Sequence, residues 1–297
     1  MSYSYSPTCY SSGIASHCGT STRAVAKALG MEFTEVEGCN CCGSPLYGKA
    51  SDLEALCFAA RNLALIQRSG NDMVTSCSFC YITLNWANAT LSRDEELRGK
   101  VSEVLSAINL DYPEDGVRVR HLLEVLINDT TCDTVSTVVK RRLKGLRIAP
   151  YYGPHITSLG YGFDAPESLI FLDQVIEALG GEVVPLPKSK TQWCGDSPLL
   201  TCEEERALTS MLKVLEEAET NGAQVIVAPC PLAQTNLDIY QPRINGIYGK
   251  GFHLPVLLLT QIMGVAFGIS PSSLDLDKNV VSPYKTLSPY LSTWDER

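Results

Sequence analysis

The sequence predicts an α/β protein built from two related halves, each with its own small sheet of parallel strands. Strand-like and helix-like segments alternate along the 297 residues, the pattern of parallel sheets joined by right-handed crossovers. Landmarks of the first half return in the second. Gly30 and Gly180, and Ser51 and Thr201, each stand 150 residues apart, Cys42 and Cys194 stand 152 apart, and Cys77 and Cys230 153. Cysteines of both halves also fall where predicted strands end. A polar, basic stretch at 130–144 marks the boundary between domains 1–144 and 145–297.

Residues 3–8 read as a strand that ends at Cys9. Thr20 or Ser21 caps a helix over 23–29, and Gly30 closes it in the left-handed conformation. β-branched and aromatic content makes 32–36 a strand. The loop 38–48 carries Cys39, Cys41 and Cys42. Ser51-Asp-Leu-Glu54 is a capping box. The helix it opens has Leu53, Leu56, Ala60, Leu63, Ala64 and Ile66 at helical spacing and stops at Gly70. A short strand over 72–76 ends at Cys77, and helices are predicted over 78–90, 95–108 and 120–129. The second half repeats the order. A strand over 146–151 precedes Pro154, a helix over 167–179 ends at Gly180-Gly181, and a strand follows at 182–186. Next come a loop with Trp193-Cys194-Gly195, a Thr201-Cys-Glu-Glu204 capping box opening a helix to about 220, and a strand over 224–228 that stops at Cys230.

Composition narrows the function classes. Hydrophobic residues make up 45% and charged residues 19%, a low surface charge that suits buried contact with partner subunits. The net charge is −9 and the longest basic run is Lys140-Arg141-Arg142, which argues against a nucleic-acid ligand. Residues 1–20 hold no apolar run and read as no signal peptide. The 12 cysteines cluster instead of spreading, so a metal site in a reducing cytoplasm fits better than a secreted disulfide framework. The longest apolar run, 254–269, is broken by Pro255, Thr260, Gln261 and Gly264 and is too short for a membrane span.

The chemistry lies in Cys9, the pair Cys41-Cys42 followed by Gly43, and Cys77-Ser-Phe-Cys80. Adjacent cysteines are too close for an unstrained disulfide with each other, but they can share a metal cluster. A CxxC suits two thiolates on one metal, or a redox pair. Five thiols are one more than a zinc ion or a cubane cluster uses. Zinc and inert core cysteines stand as alternatives; an iron–sulfur cluster uses the whole set. Open α/β sheets gather ligands beyond the carboxyl ends of their strands, where helix N-termini favour thiolates.

Cys9, Cys41-Cys42-Gly43 and Cys77-Ser-Phe-Cys80 resemble the CCG cysteine-rich domain found in the B-type subunits of heterodisulfide reductase. The resemblance extends to Tyr151-Tyr152-Gly153, to Cys230-Pro231 with Asn236-Leu237-Asp238, and to Pro255-Val-Leu with Thr260-Gln261-Ile-Met-Gly264, and so covers essentially the whole chain. It implies two pseudo-symmetric CCG domains, each a small parallel-sheet Rossmann-like α/β unit. It implies one noncubane 4Fe-4S cluster held by Cys9, Cys41, Cys42, Cys77 and Cys80, and oxidoreductase chemistry on thiol, disulfide or sulfane sulfur. The implied partners are a C-type iron–sulfur subunit and an A-type flavoprotein subunit. The incomplete second motif resembles the heterodisulfide-reductase-like B-type subunits of sulfur oxidisers, which adds a lipoate-binding carrier protein to the expected partners.

The second motif departs from the pattern. Pro154, Trp193 and Ala233 stand where the family has cysteines, leaving Cys194 and Cys230. Three readings stay open. The half is a scaffold with two inert thiols; or His155 and Cys202 stand in as ligands; or Cys194 and Cys230 are catalytic thiols that hold a substrate sulfur or form a disulfide. As a further alternative, the subunit only relays electrons, or assists assembly, for a paralogue with both motifs intact. Cys18, Cys39, Cys57 and Cys132, with the lone His17, His121 and His253, read as structural groups. Arg243 and Lys250 read as surface groups or anion contacts.

Overall fold

Two four-stranded sheets, parallel throughout, organise the chain. The structure is a computed structural model that describes residues 1–6, 13, 15–44, 52–112, 116–156, 169–195 and 204–291. The first half lays down β1 (Ser2–Tyr5), α1 (Ser16–Ala28), β2 (Glu32–Glu35), α2 (Asp52–Gln67), β3 (Met73–Thr75), α3 (Ser78–Arg93), α4 (Glu95–Ser106) and β4 (Val119–His121). A helical connection follows: α5 (Leu122–Val125), a π-helical turn (Leu126–Thr130) and α6 (Cys132–Val138). The second half contributes β5 (Arg147–Pro150), α7 (Phe171–Ala178), β6 (Glu182–Val183), α8 (Glu204–Thr220), β7 (Val225–Ala228), α9 (Pro231–Ile239), α10 (Gln241–Tyr248), β8 (Val256–Leu258), α11 (Leu259–Ala266) and α12 (Tyr284–Leu287).

The two sheets have the same topology, β2-β1-β3-β4 and β6-β5-β7-β8. The internal repeat is therefore structural. All four residues of β7 are buried, as a strand covered by helices on both faces requires. In each sheet the strand order reverses between the first and third strands, the switch point at which open α/β sheets bind ligands. Tyr5 pairs with Val74 there in one sheet, and Pro150 with Val227 in the other.

Two expectations are corrected. Residues 119–121 are a strand, and the helix predicted from 120 begins only at Leu122, where the His121 ring accepts the Leu123 N–H at 3.2 Å. α1 starts at Ser16, so Thr20 and Ser21 lie inside it instead of capping it. Ser21 Oγ donates back to the His17 carbonyl at 2.7 Å, an alternative to capping that serine takes mid-helix. The apolar run 254–269 is β8 followed by α11. The proposed caps Ser51 and Thr201 lie outside the described residues.

The halves interlock. α1, from the first half, packs along α11 of the second. Ser21 and Thr260 hydroxyls share a hydrogen bond at 2.7 Å, and His17 Nε2 meets Gln234 Oε1 at 2.8 Å. Both hydrophobic cores draw side chains from both halves, Leu56 and Tyr81 with Met211 and Leu237 in one, Val25 and Leu123 with Ile262 and Phe267 in the other. No helix among the described residues is long and apolar enough to cross a membrane.

Candidate functional site

β3 and β7 each end two residues short of a cysteine. Cys77 has extended backbone (φ −103°, ψ 117°) and caps α3 without a side-chain bond. Cys230 takes the same place before α9 (φ −109°, ψ 129°), with Pro231 at the first turn. Each thiol thus sits at a helix N-terminus, where open N–H groups and the positive dipole end favour a thiolate. Cys41 and Cys42 arrive on the loop before α2. Gly43 has φ 86°, and a Cβ there would lie 3.2 Å from the Ala55 carbonyl oxygen. Only glycine turns the chain so closely onto α2. Gly195 repeats the device after Cys194, with φ 79° and a Cβ position 3.0 Å from Ala207.

The described thiols are neighbours in series. Cys42 lies near Cys41 and Cys80, Cys80 near Cys77, and Cys77 near Cys230, each close enough to shift its neighbour's titration. Cys194 lies close enough to act on Cys230 electrostatically. None of the ten described cysteines is joined to another in a disulfide. Four of the five expected ligands therefore lie together, while Cys9, the fifth, lies outside the described residues, as does Cys202. Cys230, a cysteine of the second motif, lies beside the first set. Among the described residues no three His, Cys, Asp or Glu side chains close round one metal-sized point, so the contacts remain pairwise.

The series biases one sulfur toward the thiolate. Hydrogen bonds from Cys230 and Cys80, joined by the Cys80 and Phe79 N–H groups, pull Cys77 well below the ordinary thiol range against the effect of burial. The hydrogen bond to Cys77, reinforced by burial, pushes Cys230 well above it. Cys80 is raised by its bonds with Cys42 and Cys77, and Cys42 by its bond with Cys41. A buried set of thiols with one sulfur already favoured as thiolate, at two helix N-termini, fits an iron–sulfur cluster, and by donor type also zinc.

The matching edge of the second sheet differs. Ala233 is a buried residue of α9 and offers no ligand. The His155 ring packs on Phe79 with centroids 4.1 Å apart. The Arg206 guanidinium lies over the Trp193 ring at 4.9 Å. Pro154, His155, Gln192, Trp193, Arg206 and Lys213 line an open groove of about 1040 Å³. Cys194 and Cys230 do not line it; they lie behind at 2% and 3% exposure. Asn236 Nδ2 donates to the Cys194 carbonyl at 3.1 Å and fixes that loop. No sequence signal marked the groove, because polar residues on the exposed face of α8 look like any solvated helix.

The remaining residues take structural places. Cys18 is buried, bonds Ser76 Oγ at 3.2 Å, and is pushed by burial up to about 11. Arg243 and Lys250 pair with Glu204 and Glu216 at 2.5 and 2.6 Å.

Comparison with known proteins places this architecture. The CCG cysteine-rich domain is matched twice, over residues 3–85 and 157–238. The chain belongs to the CCG cysteine-rich-domain family. This CCG protein is 31% identical over 285 residues to the membrane anchor subunit of 8-methylmenaquinol:fumarate reductase from Wolinella succinogenes, covering 95% of this chain and 98% of that one. It is 30% identical to a protein of Archaeoglobus profundus described as like the heterodisulfide reductase B-type subunit, over 86% of each chain. Against the B-type subunit of the ferredoxin:CoB-CoM heterodisulfide reductase of Methanosarcina mazei it is 27% identical, covering 90% of this chain and 89% of that one. A hypothetical protein from Helicobacter pylori shares the fold (TM-score 0.72, 18% identity, 94% of this chain), and the CCG chain spans about half (52%) of that protein's length. The domain and its heterodisulfide reductase relatives support an iron–sulfur redox subunit of a multi-subunit oxidoreductase.

Proposed function

We propose that this chain relays electrons through one iron–sulfur cluster held in its first half by Cys9, Cys41, Cys42, Cys77 and Cys80. The observation that carries the reading is the contrast between the halves. Cys41, Cys42, Cys77 and Cys80 are neighbours at the first strand edge, whereas Pro154, Trp193 and Ala233 stand at the second where the family pattern has cysteines. When bound, a 4Fe-4S cluster, noncubane in keeping with five thiols, supplies single-electron steps. The protein's own part is to bury the sulfurs, present the N-terminus of α3 to them, and keep Cys230 against Cys77. The partners fitting such a relay are a further iron–sulfur subunit and a flavoprotein subunit.

Burial favours the relay over catalysis by Cys194 and Cys230. Cys194 and Cys230 are 2% and 3% exposed and neither lines the groove, which leaves little surface for a disulfide or sulfane sulfur brought from solvent, on a lipoate-bearing protein or otherwise. A second reading is favoured by the end-to-end match with the fumarate reductase subunit. On that reading the electrons are exchanged with a quinol instead of a sulfur substrate.

The test is iron and electron-paramagnetic-resonance analysis of anaerobically purified variants. Cys42→Ser is expected to lose most of its iron and cluster signal, and Cys194→Ser to keep both. Equal losses from the two changes would contradict the assignment of the ligands to one half.

A further inference from the structure

The groove opens where two second-motif cysteines have become Pro154 and Trp193. One of its walls also touches the first-half site. Phe79 lies inside the Cys77–Cys80 segment, and its ring packs on His155, which lines the groove. The groove wall is therefore in contact with the segment that carries Cys77 and Cys80. We propose that the groove binds the ring of a quinone, which exchanges electrons with the first-half site past His155 and Phe79. The proposal rests on the quinol-linked reading above.

The chemistry of the lining suits that ligand. The half-buried Trp193 indole, with the exposed Arg206 over one face of its ring at 4.9 Å, joins an aromatic ring and a cation in one wall. A quinone's oxygens gain negative charge on reduction, and Arg206, Lys213 and the His155 ring stand round them as donors. Of the two acidic residues at the rim, Glu204 is held by Arg243 at 2.5 Å, so it is neutralised by a partner outside the groove. Glu205 is exposed at the rim. A volume of about 1040 Å³ holds a two-ring head group with space to spare, and the open side lets an isoprenoid tail leave. In the quinol direction the two O–H bonds break. Their two protons pass to His155, Glu205 and solvent, and a cluster held by the first-half thiols would supply the one-electron acceptor for the two electrons. A second surface depression, between Trp86 and Glu95, has none of the described thiols in its lining.

Menadione, a soluble naphthoquinone, is the probe. Binding to the full, iron-loaded chain is measured by equilibrium dialysis, and the cluster's paramagnetic-resonance line shape is recorded with and without it. Saturable binding and an altered line shape are expected. Trp193→Leu and Arg206→Gln, each checked for unchanged iron content, are expected to weaken binding about tenfold, and Trp86→Phe to leave it unchanged. Iron-loaded protein that does not bind menadione, or binds it equally well as Trp193→Leu and Arg206→Gln, overturns the groove and leaves the relay standing. A chain that purifies without iron overturns the relay itself.

Discussion

Cys77 and Cys230 follow strands of different sheets, yet they lie close enough to shift each other's titration. As Cys77 is the sulfur held toward the thiolate, Cys77→Ser is expected to release the iron. Cys230→Ser keeps a donor in place and should retain it; an iron assay separates the two. The placement of a cysteine at each strand end could be read from the sequence, because the strand pattern stops at each one. The closeness of the two could not, because it depends on how two sheets face each other. Asp238 shows the same limit. Its sequence context identifies a motif but not a buried carboxyl. Burial pushes it up to about 6, against hydrogen bonds from the Val280 and Val281 N–H groups at 2.7 and 3.1 Å and from Gln234. The folded chain therefore keeps this proton to a higher pH than the unfolded chain does, where an aspartate titrates near 3.9. Stability from this group falls as pH rises from about 4 to about 6, by roughly 3 kcal/mol, and is flat above. Asp238→Asn is expected to remove that fall, read as the difference in urea midpoint between pH 4 and pH 7 for variant and parent.

Among the elements, β4 and α11 teach most. Arg120 is nearly buried and is answered by Glu124 at 2.9 Å and Asp129 at 2.5 Å. In the sequence, a charged pair four residues apart looks like one exposed helix face. Pairing with β3 overrides it, since Val119, Arg120 and His121 align with Met73, Val74 and Thr75. The helices α2, α3, α4 and α8 were legible because their apolar spacing or first-turn chemistry is local. α11 was hidden because it is buried on every side and shows no polar face. Its Gly264 is a packing glycine: an added Cβ would collide with the Leu274 side chain. Gly264→Ala is expected to cost about 1–3 kcal/mol. Combined with Leu274→Ala, it should cost less than the two single changes together, and a denaturant-based double-mutant cycle measures the difference. Additive costs would mean that the contact does not constrain the helix.

On the scale of the whole molecule, the repeat was legible and the interlock was not. Matching landmarks 150–153 residues apart announced two like halves, and both sheets share one strand order. The cores, however, are common to both halves, and α1 lies against α11. Unfolding is therefore expected as one cooperative step, with far-ultraviolet circular dichroism and tryptophan fluorescence giving the same midpoint. Residues 1–144 alone would expose the α1 face and are expected not to fold. Two separate transitions would contradict this. The same arrangement sets one edge that is rich in thiols beside one that has lost its ligands and opens as a groove. The most direct measurement is iron and acid-labile sulfide per chain in anaerobically purified, full-length protein. About four of each is expected from a single 4Fe-4S cluster; about eight, or zinc with no sulfide, would contradict a single iron–sulfur site in the first half.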